Sequence, residues 1–409
     1  MATQKLIPAL ADVTQDIAGP LPLELLYGWA GGPRDPATAA RLLAPYRVAG
    51  AVVATDSSGL TEMAEERDAL EVMALISRPK EVLAGLGRAA GGRPIGVWVA
   101  DNTEMIFPEP VDAAGLVDML LEAQVRIAAA GPVRVGMCAH RGAFFELGGG
   151  LSGAAAATVE YLAEEHAGPG EILVTPELGL AAGGHVLRER PELRAHHPGG
   201  VCAVTSARRR PDLVAAAGGY PIPFPRAFYE RLQRADHERG EEERIRLEAE
   251  YLRPLAVLFV ARERAPGGDG EDALLDELLA NVLLDGLVRQ APLGGGAIYR
   301  STGGWAMLGF PEPAEAVAAA AALRERGRAR GVTLRAGIDY GPVLVYDGSE
   351  GFRGLDGGPV NCASKLCEDA GRPGAIQVAA RAVAHLGPQP PGEPFEVVVS
   401  RVRLAGRRL

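Results

Sequence analysis

The sequence predicts an α+β protein made of two ferredoxin-like (βαββαβ) domains, one in each half of its 409 residues. In the first half, strand signals and helical periodicity follow the order strand, helix, two strands, helix, strand, which is that of a ferredoxin-like core. The same order returns in the second half. An internal duplication is therefore the main feature of the predicted architecture.

Short sequence matches between the two halves support the duplication. The matching segments begin with a strand that contains an Arg-x-Gly triplet and continue with a Pro-Gly turn before the next strand. The matches are VRVGMCAHRG (133–142) with LRAGIDYGPV (334–343), PGEILVT (from Pro169) with PGAIQVA (from Pro373), and Phe107 with Phe310.

Apolar periodicity and turn residues place the individual elements. Strands are predicted at Gly50–Thr55, Ile95–Ala100, Met105–Phe107, Val133–Cys138, Glu171–Thr175, Leu255–Val260, Gly296–Ser301, Ala306–Phe310, Leu334–Asp339 and Ala375–Val378. Helices are predicted at Glu62–Ala89, Asp112–Ala129, Gly153–Glu165, Asp272–Gln290, Glu312–Ala329 and Asn361–Ala370.

These elements give the predicted domain organisation. Residues 1–45 form a lead-in segment with a short helix at Ala37–Leu43, and residues 46–205 form the N-terminal domain. Residues 206–249 combine Pro and Gly with an Arg/Glu-rich helical pattern, which is typical of a linker with a solvated helix. A partner-binding helix is the alternative there. Residues 250–409 form the C-terminal domain.

Composition excludes several classes of function. A formal charge of −10 argues against nucleic-acid binding, and no apolar run approaches the roughly 20 residues that a membrane helix needs. The four cysteines show no CxxC spacing, which argues against structural zinc and favours a reducing, cytoplasmic compartment. The adjacent His196 and His197 are interpreted as surface or core residues rather than ligands.

The stretch AVVATDSSGLT at 51–61 carries the first chemical signal. A buried strand ends at an acid that is followed by Ser, Ser and Gly, an arrangement that can hold a divalent metal beside a phosphate chain. The alternative is purely structural: Asp56 would begin a turn and cap a helix that starts near Glu62.

Several motifs, taken in this order and in duplicate, resemble the class III nucleotidyl (adenylyl/guanylyl) cyclases, and their tandem layout resembles that of soluble adenylyl cyclase. The motifs are TDSSGLT (55–61), ADNTEMIF (100–107), PGEILV (169–174), LRAGIDYGPV (334–343) and VNCASKL (360–366). The resemblance implies an intramolecular pseudo-heterodimer of cyclase-homology domains, with active sites where one domain meets the other.

The resemblance also implies a division of labour between the copies. The N-terminal copy carries both expected metal ligands, Asp56 and Asp101, for two Mg²⁺ (or Mn²⁺) ions. The C-terminal copy has Arg300 at the base-recognition Lys position, with Asn361 and Lys365 at the Asn and Arg positions that act on the ribose and the α-phosphate. One composite site would therefore be complete.

The opposite combination would be chemically empty. Ala261 and Gly304 replace the metal ligands in the C-terminal copy, and the N-terminal copy has apolar or neutral residues at the remaining positions. If a second pocket binds anything, we expect a small neutral ligand rather than an anion such as bicarbonate. The N-terminal residues concerned are Val97, Thr158 and Leu162.

Further contacts to the nucleotide are expected on the same resemblance. Backbone N–H groups of the turn after the first strand would bind the triphosphate, a residue near Gly354 would contact the base, and a basic residue in the tail would contact phosphate. The residues are Ser57, Ser58, Gly59, Leu60 and Thr61 for the turn, Asp356 for the base and Arg407 for the tail.

The expected activity is conversion of a nucleoside triphosphate, ATP by default, to a 3′,5′-cyclic nucleotide and pyrophosphate by a monomeric chain that needs neither nucleic acid nor membrane. The alternative is an inactive cyclase-homology module that senses nucleotides or binds a protein. Structural roles also exist for the candidates: Asp101 in a turn, Asn361 as a helix cap and Lys365 on a surface. The chain is also compatible with being part of a longer multidomain protein.

Overall fold

A computed structural model describes residues 21–59, 63, 67–99, 102–180, 185–206, 208–237, 240–263, 270–302, 304–347, 353–388, 391–399 and 402–409. The chain divides into two compact units. The N-terminal unit comprises Leu43–Leu60 and Val72–Ile222, and the C-terminal unit comprises Met1–Leu42, Thr61–Glu71 and Pro223–Leu409, within which only the described residues are discussed.

The N-terminal unit is built on one mixed sheet in the order β2-β3-β1-β4-β6-β8-β7, with β5 paired to β4. Only β4 and β6 are parallel neighbours. Its strands are β1 (Arg47–Ser58), β2 (Arg93–Pro94), β3 (Thr103–Pro108), β4 (Arg134–Leu147), β5 (Gly150–Ser152), β6 (Ile172–Val174), β7 (Val186–Glu189) and β8 (Cys202–Ser206). Its helices are α3 (Ala69–Ala89, whose first residues belong to the C-terminal unit), α4 (Ala113–Ala130) and α5 (Ala154–Glu165).

The C-terminal unit repeats this sheet in the order β10-β11-β9-β12-β14-β16-β15, with β13 paired to β12. Its strands are β9 (Leu252–Arg262), β10 (Ala297–Thr302), β11 (Trp305–Phe310), β12 (Leu334–Asp347), β13 (Arg353–Asp356), β14 (Ile376–Ala379), β15 (Glu393–Val399) and β16 (Val402–Arg408). Its helices are α1 (Leu23–Gly31), α2 (Pro36–Leu43), α6 (Arg226–His237), α7 (Glu241–Tyr251), α8 (Glu271–Arg289), α9 (Pro313–Arg328), α10 (Gly358–Glu368) and α11 (Ala380–Val383).

The predicted duplicated α+β fold is confirmed. In each unit the first four strands of the order, β2-β3-β1-β4 and β10-β11-β9-β12, follow the antiparallel arrangement of a ferredoxin-like core. The middle residues of β1 and β9 are apolar and buried because both faces of these strands are covered. In β9, Leu258 packs in one core cluster, whereas Val257 and Phe259 pack in another on the opposite face.

The predicted strand Ile95–Ala100 is wrong over residues 95–99, and Ala100 lies outside the described residues. The regular pairing stops at Pro94, the end of β2. Trp98 explains the difference because its indole N–H donates to the carbonyl oxygens of Ile95 (3.1 Å) and Glu104 (3.2 Å), and its backbone N–H donates to Pro221 (3.0 Å). Burial of this one ring draws the chain away from the strand path.

The segment predicted as a lead-in contributes to the core of the C-terminal unit. Trp29, on α1, is fully buried, and its indole N–H donates to Asp276 Oδ1 on α8 (2.8 Å). Leu25 and Leu26 of the same helix are also buried. Along the described ranges from 21 to 409, no helix is both long and apolar enough to cross a membrane.

The segment predicted as a linker with a charged helix contains two helices, α6 and α7. Their polar faces are joined by Arg231, which forms ion pairs with Glu243 and Glu250 (2.6 Å each). On the apolar side, the Phe228 ring stacks against Tyr346 of β12 at a centroid distance of 6.4 Å. The charge pattern therefore marks only one face of this helical pair.

Candidate active site

The first candidate metal ligand, Asp56, lies on a strand and not in a turn. β1 continues two residues past it to Ser58, so the interpretation that Asp56 begins a turn is wrong. Asp56 is half-buried and pairs with Gly136 of β4. The preceding residue, Thr55, pairs with Thr103 of β3, and their buried hydroxyl oxygens lie 2.6 Å apart. The sheet therefore holds the Asp56 carboxylate at a fixed place.

The second candidate ligand, Asp101, lies outside the described residues. The position that follows it, Asn102, donates from Nδ2 to Glu164 Oε1 of α5 (2.5 Å). Thr103 then begins β3 next to the end of β1. The described residues resume at Asn102, one position before β3, which is directly paired with the Asp56 strand.

The turn expected to bind phosphates is described only in part. Ser57 is buried and Ser58 half-buried at the end of β1. Gly59 follows with a φ of +84°, a left-handed conformation that favours glycine, and the space that a side chain would occupy there is open. Leu60 and Thr61 lie outside the described residues.

In the C-terminal unit, Asn361 and Lys365 project from α10 one turn apart, and both are half-buried. The helix begins after Gly357, which has a φ of +128°. Lys365 Nζ lies 3.6 Å from Asp369 Oδ2, an ion pair along the same helix. Because Asn361 and Lys365 are four residues apart in the sequence, they share one face of α10.

Arg300 is buried on β10, where its guanidinium lies 5.5 Å from the centre of the Trp305 ring. That ring stacks on Phe259 at 4.6 Å. The pairing register shifts between Ile298 and Arg300, so a bulge precedes the arginine. An aromatic face thus holds a buried cation where base recognition is expected.

The structure clarifies the second expected base contact. A side chain at Gly354 would overlap the Tyr346 ring and come within 2.6 Å of its hydroxyl oxygen, so only glycine fits there. Asp356, at the end of β13, accepts a hydrogen bond at Oδ1 from the Gly357 N–H (2.8 Å). This carboxylate therefore supports the turn that leads into α10.

Arg407, the candidate phosphate contact in the tail, lies on β16. Its backbone pairs with Val378 and Pro394 of the neighbouring strands. Its Nη1 donates to the carbonyl oxygen of Gly392 (2.7 Å).

The corresponding strand end in the C-terminal unit does not suit a metal. Ala261 is buried, and Gly304 has a φ of +93°, so a side chain there would be strained and would approach Asn281 Oδ1 to 2.9 Å. Buried Arg262 donates to the same Asn281 oxygen from Nε (2.9 Å) and Nη2 (2.7 Å) and forms an ion pair with Glu277. A buried guanidinium disfavours a divalent cation.

The donor set of the N-terminal unit fits a hard cation. Mg²⁺ is bound in nucleotide sites by one or two carboxylates, with water and substrate phosphates completing its coordination. Asp56 supplies one such carboxylate from a rigid strand. Among the residues that the structure describes, no cluster of three or more His, Cys, Asp or Glu side chains is arranged to hold a metal ion.

Comparison with known proteins gives a clear result at the level of structure. No family model matches the sequence, and no curated protein matches it. A class III adenylyl cyclase-like ATP-binding protein from Pseudomonas aeruginosa superposes with a TM-score of 0.53 at 15% identity, over 94% of this chain and 92% of that chain. The chain has the class III cyclase fold.

Two further solved structures match one part of the chain each. The adenylyl cyclase CyaB from P. aeruginosa gives a TM-score of 0.36 at 18% identity, over 40% of this chain and 96% of that chain. The guanylyl cyclase Cya2 gives a TM-score of 0.35 at 17% identity, over 42% of this chain and 98% of that chain.

The strand registers of the two cyclase-like units correct one sequence correspondence. Ala51 of β1 pairs with Phe107 on one side and Arg141 on the other, and Ala256 of β9 pairs with Phe310 and Tyr340. Arg141 is therefore equivalent to Tyr340, two residues away from the match that the sequence suggests. The parallel pairs Ala139–Val174 and Ile338–Val378 give the same shift.

A second correction concerns α5, the cyclase-fold counterpart of α10. Both helices follow a glycine with positive φ, Gly153 and Gly357. Aligned on these glycines, three of the four buried residues of each helix coincide: Val159 with Ala363, Leu162 with Leu366 and Ala163 with Cys367. Asn361 and Lys365 then correspond to Ala157 and Tyr161 rather than to Thr158 and Leu162. The register is thus one residue different from the sequence prediction.

This correction changes the expected character of the N-terminal helix. Leu162 is 1% exposed and belongs to the core, so it does not line a pocket. Tyr161 is 42% exposed, and its ring lies 5.0 Å from His166 and 5.2 Å from His196. The surface at this position is aromatic and titratable, not aliphatic.

Sequence reasoning missed Glu104, a carboxylate on β3 that pairs with Ala54. Burial, and to a lesser extent the neighbouring Glu160 carboxylate, raises the pKa of Glu104 to about 8. The available signal was a lone acid within the apolar run TEMIF.

We expect the Glu104→Gln variant to stabilise the N-terminal unit at neutral pH. The folded-state pKa of Glu104 lies above the ordinary value of 4.5 for a glutamate. Its burial therefore does not reduce the free energy of unfolding below pH 4.5, and the reduction grows as the pH rises towards about 8. Replacement should gain on the order of 2 kcal/mol at pH 7, after allowance for partial exposure. Urea denaturation across this pH range measures the difference in the free energy of unfolding between the variant and the unsubstituted chain. Glu165→Gln, at an exposed position, is the control. If this difference in the free energy of unfolding did not increase with pH, the prediction would be wrong.

Proposed function

We propose that the chain is a nucleotidyl cyclase that converts a nucleoside triphosphate, with ATP as the expected substrate, to a 3′,5′-cyclic nucleotide and pyrophosphate. A single composite site would draw its metal-binding carboxylates from the N-terminal unit and its base and transition-state residues from the C-terminal unit. The monomer would thus act as an intramolecular pseudo-heterodimer.

One observation carries this proposal: the two units hold complementary side chains at equivalent positions. Asp56 at the end of β1 has Ala261 as its counterpart, beside the buried guanidinium of Arg262. Conversely, Asn361 and Lys365 on α10 have no amide or cation as counterparts on α5. Each unit therefore supplies a set that the other lacks.

Cyclisation requires the ribose 3′-oxygen to attack the α-phosphorus in line with the departing pyrophosphate. Asp56 and Asp101 would hold Mg²⁺ or Mn²⁺, which when bound supplies charge neutralisation and acidifies the 3′-hydroxyl. The backbone N–H groups of Ser57 and Ser58 at the end of β1, and of Gly59, Leu60 and Thr61 after it, would bind the triphosphate.

The C-terminal residues would orient the nucleotide and stabilise charge. Asn361 would hydrogen-bond the ribose, and Lys365 would turn from Asp369 towards the charge that develops on the α-phosphate. A lysine offers a point charge where a bidentate arginine fork is usual in the resembled family, so turnover would be slow. Arg300 would contact the base. Asp356 would either support the turn at Gly357 or contact the base itself. Arg407 would contact a phosphate once it no longer donates to the Gly392 carbonyl oxygen.

A second candidate function is nucleotide binding without cyclisation. The existing ion pair between Lys365 and Asp369 favours it, because this pair competes with a phosphate contact. The similar protein from P. aeruginosa is itself described as cyclase-like and ATP-binding. The two functions differ in whether product forms.

The test is product formation from ATP, GTP, CTP and UTP with Mn²⁺. We expect one triphosphate to yield a cyclic product, and Asn361→Ala to lower kcat by about tenfold or more with a smaller change in KM. Ser364→Ala, on the same helix, is the control and should retain activity. Absence of product from all four, together with Mn²⁺-dependent binding of a non-cyclisable analogue, would overturn cyclisation in favour of nucleotide binding.

A further inference from the structure

In the C-terminal unit, the fully buried Asp339 forms an ion pair with the more exposed Arg381. Asp339, on β12, is 0% exposed, whereas the Arg381 side chain, on α11, is 57% exposed. The carboxylate accepts hydrogen bonds from the Tyr340 N–H (2.8 Å) and from Arg381 Nε (3.3 Å) and Nη2. Burial raises the pKa of Asp339, which the Arg381 cation partly opposes. Burying a carboxylate costs free energy, and pairing it with an arginine adds little net stability, so a positional role is the better explanation.

This pair meets the first turns of α10. The Cys362 side chain lies close to the Asp339 carboxylate, and burial raises the pKa of its thiol. Cys362 directly follows Asn361 in the chain. The Arg381 guanidinium lies beside Gly358, the first residue of the helix. The ion pair therefore contacts α10 on both sides of the turn that carries Asn361.

The far end of the same helix is also fixed by a buried polar group. Gln377, on β14, is fully buried and donates from Nε2 to the carbonyl oxygen of Leu366 (2.7 Å). Arg408 donates in turn to Gln377 Oε1 (3.2 Å). Lys365 thus lies between two polar anchors, one at each end of α10.

The N-terminal unit has the same pair of positions with the charges reversed. His140 pairs with Val52 of β1 as Asp339 pairs with Val257 of β9, and Glu177 follows β6 as Arg381 follows β14. His140 Nδ1 lies 3.8 Å from Glu177 Oε2, which also accepts a hydrogen bond from His197 Nε2 at 3.0 Å. Burial lowers the pKa of His140, so the N-terminal pair is not permanently charged at neutral pH.

The second polar contact, that of Gln377, has an apolar counterpart beside the N-terminal helix α5. Leu173 of β6 corresponds to Gln377 of β14, and it packs in the apolar core. Among the described residues, only the unit that carries Asn361 and Lys365 combines an aspartate–arginine ion pair with a buried amide against this helix.

We infer that Asp339 and Arg381 are positioning residues that fix the first turns of α10 and thereby set the orientation of Asn361 and Lys365. This inference rests on the proposed cyclase function. Neither residue is assigned a contact with substrate. Small displacements of catalytic groups are enough to lose much of the rate.

The test compares Arg381→Met with Arg381→Lys, which retains the charge. We expect Arg381→Met to lower kcat by about tenfold or more with KM within about threefold, and Arg381→Lys to regain a large part of kcat. Arg403→Met removes an exposed arginine that is paired with Glu396 at 3.2 Å, and it should leave kcat unchanged. The double variant Asp339→Asn/Arg381→Met removes both charges together and leaves no buried carboxylate without a partner. A loss of kcat that persists in the double variant is therefore due to lost positioning and not to an unpaired buried charge.

Hydrogen exchange of a peptide covering 358–368 gives a readout that is independent of catalysis. Arg381→Met should accelerate exchange in the first turns of α10, whereas Arg403→Met should not. Unchanged kcat and unchanged exchange in Arg381→Met would overturn the inference while leaving the cyclase proposal intact. If the unsubstituted chain forms no product, the proposed function fails, and the exchange comparison alone decides whether the pair holds α10.

Discussion

Replacement of Asp56 by asparagine is expected to lower Mn²⁺-dependent product formation by roughly 100-fold or more, because loss of a metal ligand removes several kcal/mol of charge stabilisation. Asparagine keeps the shape of the side chain on β1 but not its charge. Initial rates at saturating Mn²⁺, together with Mn²⁺-dependent binding of a non-cyclisable triphosphate, measure the effect. Both activity and metal-dependent binding should fall.

Two variants control this experiment. Ser58→Ala, two residues further along β1, should keep activity within about threefold, since only its backbone is expected to contact phosphate. Ala261→Asp places a carboxylate at the equivalent strand end of the C-terminal unit, where buried Arg262 would neutralise it. It should therefore not restore activity to Asp56→Asn. Retained activity in Asp56→Asn would mean that the metal ligands lie elsewhere.

The architecture was predictable because strong apolar periodicity determines it. The buried strand predicted at Leu255–Val260 is β9 (Leu252–Arg262), and the helix predicted at Asp272–Gln290 is α8 (Glu271–Arg289). Such elements bury an apolar face whatever their exact neighbours are. Their existence and order therefore follow from local sequence alone.

Strand boundaries that depend on a single tertiary contact were not predictable. The sequence around Trp98 has the alternation of a strand, but the buried indole uses the carbonyl oxygens of Ile95 and Glu104. A short sequence window does not reveal which acceptor an indole will reach. Here tertiary packing overrides local propensity.

Residue equivalence between the two units was the least predictable feature. The shared Arg-x-Gly triplets align Gly136 with Gly337, yet the ladders place Asp56 opposite Gly136 and Ala261 opposite Arg335. Register depends on pairing across the sheet, which sequence identity does not encode. Only the ladders reveal that Asp339 and His140 occupy the same place.

The prediction with the largest expected effect on stability concerns Gly337, the glycine of the triplet on β12. A Cβ there would overlap the carbonyl oxygen of Ala363 and lie 2.8 Å from the backbone nitrogen of Cys367. Both atoms belong to the α10 backbone, which cannot yield as a side chain can. Gly337→Ala should therefore displace α10 and cost about 3 kcal/mol or more in the free energy of unfolding of the C-terminal unit.

The same displacement should reduce kcat, because α10 carries Asn361 and Lys365. Gly240→Ala, at a position whose nearest neighbouring atom would be 3.7 Å away, is the matched control in the same unit. Because Gly240 is the N-cap of α7, this variant should cost about 1 kcal/mol at most, and it should leave kcat almost unchanged. Urea denaturation and initial rates on both variants provide the comparison. If Gly337→Ala kept the stability and the kcat of the unsubstituted chain, α10 would not pack as closely on β12 as in this structure. The positions given for Asn361 and Lys365 on that helix would then be wrong. If stability fell while kcat in the folded fraction did not, α10 would tolerate displacement, and the rigid positioning inferred for Asp339 and Arg381 would fail with it.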